Sequence, residues 1–192
     1  MIRIDRLDAD RSAVLVIDLQ EKLLPAIQGA DRILAATTCL LKGAREFGMP
    51  IVATEQYVKG LGPTQTDIRS LFSSFNATVI EKPTFSACGY EPIRNAIREV
   101  GRTQWLVVGI EAHICVLQTA LDLATLDYQT YICADGVGSR ATIDCEVALD
   151  RMRQEGMTVG TVESCLYEVC DRCDSEQFKA LLPHVKEKSN VS

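Results

Sequence analysis

Three residues far apart in the chain carry complementary chemistry: Asp18, Lys82 and Cys115. Asp18 closes the apolar run Ala13-Val-Leu-Val-Ile-Asp18. Lys82 stands two residues after Ala77-Thr-Val-Ile80, and Cys115 sits at the first turn of the segment that follows Gln104-Trp-Leu-Val-Val-Gly109. The thiolate is the nucleophilic form of cysteine, and a helix N-terminus lowers a thiol's pKa because its dipole and free N–H groups favour negative charge. A neighbouring ammonium does the same, and a carboxylate can take the thiol proton. Brought together, the three make an activated cysteine for attack on a carbonyl carbon. Such a Cys115 is expected to react with iodoacetamide at pH 6.5 far faster than the other cysteines. Taken singly, each residue has a plainer reading: an Asp ending a strand caps a loop, a Lys after a strand is a solvated charge, and a Cys in an apolar helix is packing.

The elements decide between these readings. Strand-length runs occur at Ala13–Asp18, Pro50–Thr54, Ala77–Ile80, Gln104–Gly109, Gln129–Cys133 and Gly156–Gly160. Helical spacing marks Asp31–Phe47, where Ile33, Leu34, Cys39, Leu40, Leu41 and Ala44 share a face; Gly48 and Pro50 supply the stop. Further helices are expected from Pro92 to Val100, from His113 to Leu126, over 142–155, and from Ser175 to Lys186 with an interruption at Pro183. Near-continuous apolar strands joined through helices indicate a parallel sheet covered on both faces. Six strands are too few for an eight-stranded barrel. The expected fold is therefore α/β: a three-layer α/β/α, open, doubly wound, Rossmann-like six-stranded parallel sheet. Ligands bind such sheets at the carboxyl ends of the strands, where strand order reverses, and all three reactive residues fall at strand ends. With 192 residues and no repeat or linker, one domain over 1–192 is expected.

Composition narrows the partners. A net charge of −6 opposes nucleic acid and anionic membranes, both of which want a basic face. The longest apolar run, Ala13–Ile17, falls far short of the ~20 residues of a membrane span. Met1-Ile-Arg-Ile-Asp-Arg6 has no apolar leader core and carries an acidic residue, so no targeting leader is expected. Eight cysteines in 192 residues lie below the disulfide-rich range and read as reduced thiols in a cytoplasmic protein. Cys170-Asp-Arg-Cys173 has redox or zinc spacing, but no second pair completes it and the only histidines are His113 and His184; no metal and no cofactor are expected. Asp135-Gly-Val-Gly-Ser139 fits neither glycine-rich phosphate pattern and reads as a turn beside the pocket. His113 stands two residues before Cys115, a separation of ~200° around a helix, so it should face away from the thiol.

Three segments, Val16-Ile-Asp18-Leu-Gln20, Glu81-Lys82-Pro-Thr-Phe-Ser-Ala87 and Val108-Gly-Ile-Glu-Ala-His-Ile-Cys115-Val, resemble the signature segments of the isochorismatase-like cysteine hydrolases over residues 11 to 165. The resemblance implies a triad of Asp18 as general base, Lys82 as electrostatic partner and Cys115 as nucleophile. It also implies a cis peptide between Ile110 and Glu111, and an oxyanion hole made by the amide N–H groups of Glu111 and Cys115. The implied reaction is hydrolysis of a small amide-like C–N bond through a thioester. Nicotinamidase-type members bind a metal through histidines after the second strand; Thr54–Pro63 contains none, so that site is not expected. True isochorismatases replace the cysteine and cleave a vinyl ether by acid chemistry, from which Cys115 departs. Glu111-Ala-His-Ile-Cys-Val-Leu-Gln-Thr119 and Tyr57-Val-Lys-Gly-Leu-Gly62 are most similar to the isochorismatase-domain-containing subgroup. Gln20, Glu55, Tyr57 and Phe85 are candidate pocket residues or, equally, wall packing. The resemblance suggests a homo-oligomer whose neighbouring subunit walls the site near Tyr57–Pro63 or the 135–145 loop. The competing classes are a non-catalytic binding or scaffold protein, which an intact triad argues against, and a nuclease, which the acidic charge argues against.

Overall fold

The computed structural model describes residues 6–189; residues 1–5, which carry most of the segment read above for a leader, and residues 190–192 lie outside the described residues. Strands β1 (Ser12–Ile17), β2 (Ile51–Gln56), β3 (Thr78–Lys82), β4 (Gln104–Ile110), β5 (Gln129–Gly138) and β6 (Thr158–Gly160) form one sheet in the order β3-β2-β1-β4-β5-β6. Every pairing is parallel. Strand order reverses between β1 and β4, so their carboxyl ends frame the crevice.

Alternation builds the two cores. On β1, Val14 and Val16 face one layer, while Ala13, Leu15 and Ile17 face the other. The first layer is closed by α1 (Ala30–Glu46), by α3 (Thr66–Ser74) beyond the short helix α2 (Val58–Leu61), and by α7 (Val162–Cys170) and α8 (Glu176–Ser189). The second is closed by α4 (Glu91–Val100), α5 (Leu117–Thr125) and α6 (Thr142–Gln154). Helix α4 shows the local logic. Pro92 occupies its first turn, Gly101 ends it at φ 67°, and Ile93 and Ile97, four residues apart, are buried against the sheet. Burial of each such side chain contributes roughly 1.5–3 kcal/mol. At Gly109 (φ 125°) a Cβ would come within 2.0 Å of the Ile17 carbonyl oxygen, so only glycine lets β4 close against the end of β1.

Several elements depart from the sequence reading. β3 runs on through Lys82, and β5 runs to Gly138, so Asp135–Ser139 is no turn. Val107 pairs with Ile132 and Gly109 with Val137, and the extra residues on β5 form a bulge that carries Asp135. Helix α8 is not interrupted at Pro183, because Leu181 and Val185 on either side of it are buried in the core. Helices α2, α3 and α7 were unforeseen; their runs are short and their apolar periodicity is brief. Among the described residues, no helix is long and apolar enough to cross a membrane.

Candidate active site

Asp18 follows β1 directly and leaves the strand with φ 53°, a left-handed conformation that Asp tolerates better than most residues. Its N–H donates to the Thr54 carbonyl at 3.1 Å. Its carboxylate is fully buried and bonded at both oxygens: Thr54 Oγ1 donates to Oδ1 at 2.7 Å, and Lys82 Nζ donates to Oδ2 at 2.7 Å. Lys82 is also fully buried, and three further oxygens surround its Nζ. These are Gln56 Oε1 at 2.6 Å and the carbonyls of Thr84 and Phe85 at 3.1 Å each. An ammonium has three N–H groups, so this one is saturated. Its N–H groups are shared among Asp18, Gln56 of β2 and the loop after β3.

Cys115 does not sit on a regular α-helical turn. Residues Ala112–Val116 form a π-helical turn in which Val116 N–H donates to the Glu111 carbonyl at 3.2 Å, and α5 begins after it. The Ile110–Glu111 peptide that precedes this turn is cis. Thr119 Oγ1 donates to the Cys115 carbonyl at 2.6 Å and accepts from Ala87 N–H at 2.9 Å, tying the turn to the loop after β3. Cys115 itself is 7% exposed. Burial pushes its thiol up to about 12; the Asp18 charge and hydrogen bond add to the rise, and Lys82 works against it. The expected activated thiolate is therefore corrected: at rest Cys115 carries its proton. Preferential alkylation at pH 6.5 no longer follows, because desolvation outweighs the ammonium. The acid and the ammonium are brought together at 2.7 Å, and theirs are the charges that bear on the thiol, in opposite directions.

The remaining sequence candidates take different places. Gln20 is fully buried; its amide bonds the backbone of Gln56 at both ends and also reaches Gly62. Glu55 accepts from both N–H and Oγ1 of Thr64. Both side chains are thus committed to the 57–64 segment. Tyr57 and Phe85 are large, exposed apolar side chains, and each follows a group bonded to Lys82 or supplies one. His113 bonds Ser139 Oγ through Nδ1 at 2.9 Å rather than the thiol. Thr54 and Gln56 were missed. The signal for them was the polar end Thr54-Glu-Gln56 of a strand that begins apolar, where alternation puts Thr54 and Gln56 on one face. A cleft of about 360 Å³ lined by Arg32, Gly138, Ser139, Thr142 and Glu146 opens beside β5, but none of the triad lines it. Among the described residues no three His, Cys, Asp or Glu side chains gather into a metal site, and all eight cysteines are free thiols.

A parallel sheet with a buried polar cluster at its switch point defines a doubly wound α/β protein. The isochorismatase domain model matches residues 12–164, and the chain belongs to that family. It is 35% identical to isochorismatase domain-containing protein 2A of Mus musculus, over 95% of this chain and 86% of that one. Among solved structures it resembles the MAR1 ribonuclease of Caenorhabditis elegans, at 31% identity with a TM-score of 0.87, over 95% of this chain and 93% of that one. It also shares the fold of the Escherichia coli YcaC product, described as an octameric hydrolase of unknown specificity, at 24% identity with a TM-score of 0.90, over 100% of this chain and 96% of that one.

Proposed function

We propose that the chain is a single hydrolase domain that cleaves a small amide-like C–N bond with Cys115 as nucleophile. The observation that carries this reading is the buried Asp18–Lys82 pair at the sheet's carboxyl edge, whose two charges are the ones that bear on the Cys115 thiol. Because the thiol rests neutral, its proton leaves during attack. Asp18 accepts that proton as the sulfur bonds to the carbonyl carbon, and the Glu111 and Cys115 amide N–H groups hold the oxyanion. Asp18 then returns the proton to the departing nitrogen, the C–N bond breaks, and a thioester remains. Water, deprotonated by Asp18, attacks the thioester; the C–S bond breaks and the thiol is restored. Lys82 holds Asp18 in place for the first step. No metal or cofactor enters this scheme.

The substrate is a small molecule, with Tyr57 and Phe85 at the mouth. The exposed apolar side chains Tyr57, Phe85, Ile143 and Val147 support a homo-oligomer. Eight free thiols suit the cytoplasm. The likeness to a ribonuclease invites a nuclease reading, which a net charge of −6 opposes. The test is a screen of small amides, hydroxamates and ureido acids with wild type beside Cys115→Ala. Turnover by wild type alone supports the reading. Turnover by both removes Cys115 as nucleophile and leaves acid catalysis by Asp18; turnover by neither favours a binding protein.

A further inference from the structure

Ile110 and Gly138 face each other in the β4–β5 register, and the two chains leave the sheet side by side. Beyond that pair they are cross-linked by side chains. Arg140 donates its backbone N–H and its Nε–H to Glu111 Oε2, each at 3.1 Å. One residue earlier, Ser139 Oγ shares its 2.9 Å hydrogen bond with His113 Nδ1. His113 Nε2 also approaches Asp144 Oδ2 of α6 at 3.9 Å. The Glu111 side chain is only 10% exposed and Ser139 is 2% exposed, so each link has a buried end on this side, although the Arg140 side chain is 62% exposed and its backbone N–H is the better sheltered of its two donors. Glu111 and His113 bracket the start of the π-helical turn that carries Cys115.

A π turn holds one residue more than an α turn and makes no long ladder of its own, so its shape depends on what surrounds it. We propose that Ser139 and Arg140 are positioning residues: through His113 and Glu111 they clamp the turn and set the Cys115 sulfur and its neighbouring amides against Asp18. This rests on the reading of Cys115 as nucleophile for its catalytic meaning, and on the four hydrogen-bonded residues for the clamp itself. Misplacing a reacting group by about 1 Å costs on the order of 10²-fold in rate. Releasing the turn also opens the thiol to solvent, so its accessibility and its catalytic use should move in opposite directions.

The experiment compares full-length wild type with Ser139→Ala, Arg140→Ala, the double variant, and the conservative Ser139→Thr and Arg140→Lys. Iodoacetamide labelling at pH 8, followed cysteine by cysteine by peptide mass spectrometry, is read beside Tm. Turnover of an amide found in the screen supplies kcat and KM. In the alanine variants Cys115 should label about tenfold faster, as exposure and ionisation control thiol reactivity. Cys39, Cys88, Cys133 and Cys165 should label as in wild type. In the same variants kcat should fall by roughly 10- to 100-fold with KM within about twofold, and the conservative variants should recover most of it. Unchanged Cys115 labelling in the double variant overturns the clamp; so does equal acceleration at every buried thiol, the mark of general loosening. A selective change at Cys115 in a protein whose Cys115→Ala variant still turns over upholds the clamp and removes the nucleophile reading instead.

Discussion

The molecule contains two groupings of an acid, a lysine and a thiol, one on each face of the sheet. In the first, Asp18 and Lys82 pair at 2.7 Å with both side chains fully buried, beside Cys115. In the second, Asp135 on the β5 bulge pairs with Lys188 of α8 at 2.8 Å, and both charges act on Cys39 of α1. The thiols are alike: burial pushes Cys39 up to about 11 and Cys115 to about 12. What differs is the backbone around them. Cys39 lies mid-helix, where amide N–H groups are committed to carbonyls one turn back, so no donor is left for an oxyanion. Cys115 lies on an irregular turn at a strand's carboxyl end. Asp135 spends its other oxygen on Val162 N–H at 2.8 Å, at the start of α7, so this group fastens helices rather than preparing a nucleophile. A reactive composition does not make a site; the turn that carries the thiol does.

Substitutions at matching positions should separate the two groupings. The largest difference is at the thiols. Cys115→Ala should abolish turnover of any amide cleaved by wild type, whereas Cys39→Ala should leave kcat within about twofold, as it removes only buried packing. Next come the acids. Asp18→Asn should cost about 10²–10⁴-fold in kcat through loss of the general base. Asp135→Asn should keep kcat and instead lower stability by about 1–3 kcal/mol in urea unfolding, the usual worth of a hydrogen bond to a charged group. Wild-type kcat in Asp18→Asn would erase the distinction.

The lysines should differ in stability more than in kind. Lys82→Ala leaves the buried Asp18 carboxylate without its cation, and breaking such a pair costs about 3–5 kcal/mol. Lys188→Ala, at a partly solvated pair, should cost less, about 1–2 kcal/mol. Equal unfolding midpoints for the two variants would show that burial does not distinguish the pairs.

The smallest effect per group is shared by both faces. Cys39, Cys88 and Cys115 are held up to about 11, 12 and 12 in the folded chain, first of all by burial. An unfolded thiol ionises near pH 8.5, so below that pH both states keep the proton and stability is complete. As pH rises further the unfolded chain loses its protons first, and folding should weaken by up to on the order of 1 kcal/mol per thiol per pH unit. Urea unfolding at pH 8, 9 and 10 should show this decline, reduced in Cys39→Ala. A flat profile would mean that the thiols are less desolvated than their burial indicates.

The architecture was legible because parallel strands buried on both faces must be apolar throughout, and Ser12–Ile17 and Gln104–Ile110 are buried at every position. The pairing of Asp18 with Lys82 followed from their places at strand ends. Elements built by contact rather than by periodicity were not legible. The β5 bulge reads locally as a glycine turn, and Pro183 reads as a helix break until Leu181 and Val185 are packed against the first layer.

The order of elements, the edge of the sheet that carries the chemistry and the three residue types that could perform it were all written in the amino-acid sequence, because period and spacing are local properties. Tertiary structure alone decided the support of those residues and the desolvation of the thiol. It gave Asp18 its second partner in Thr54, saturated Lys82 with Gln56 and two carbonyls, and stripped water from Cys115 until its thiol rests neutral. Desolvation and hydrogen-bond saturation depend on every neighbour at once, and those neighbours come from β2, from the loop after β3 and from α5, segments distant in sequence that only the folded sheet brings together.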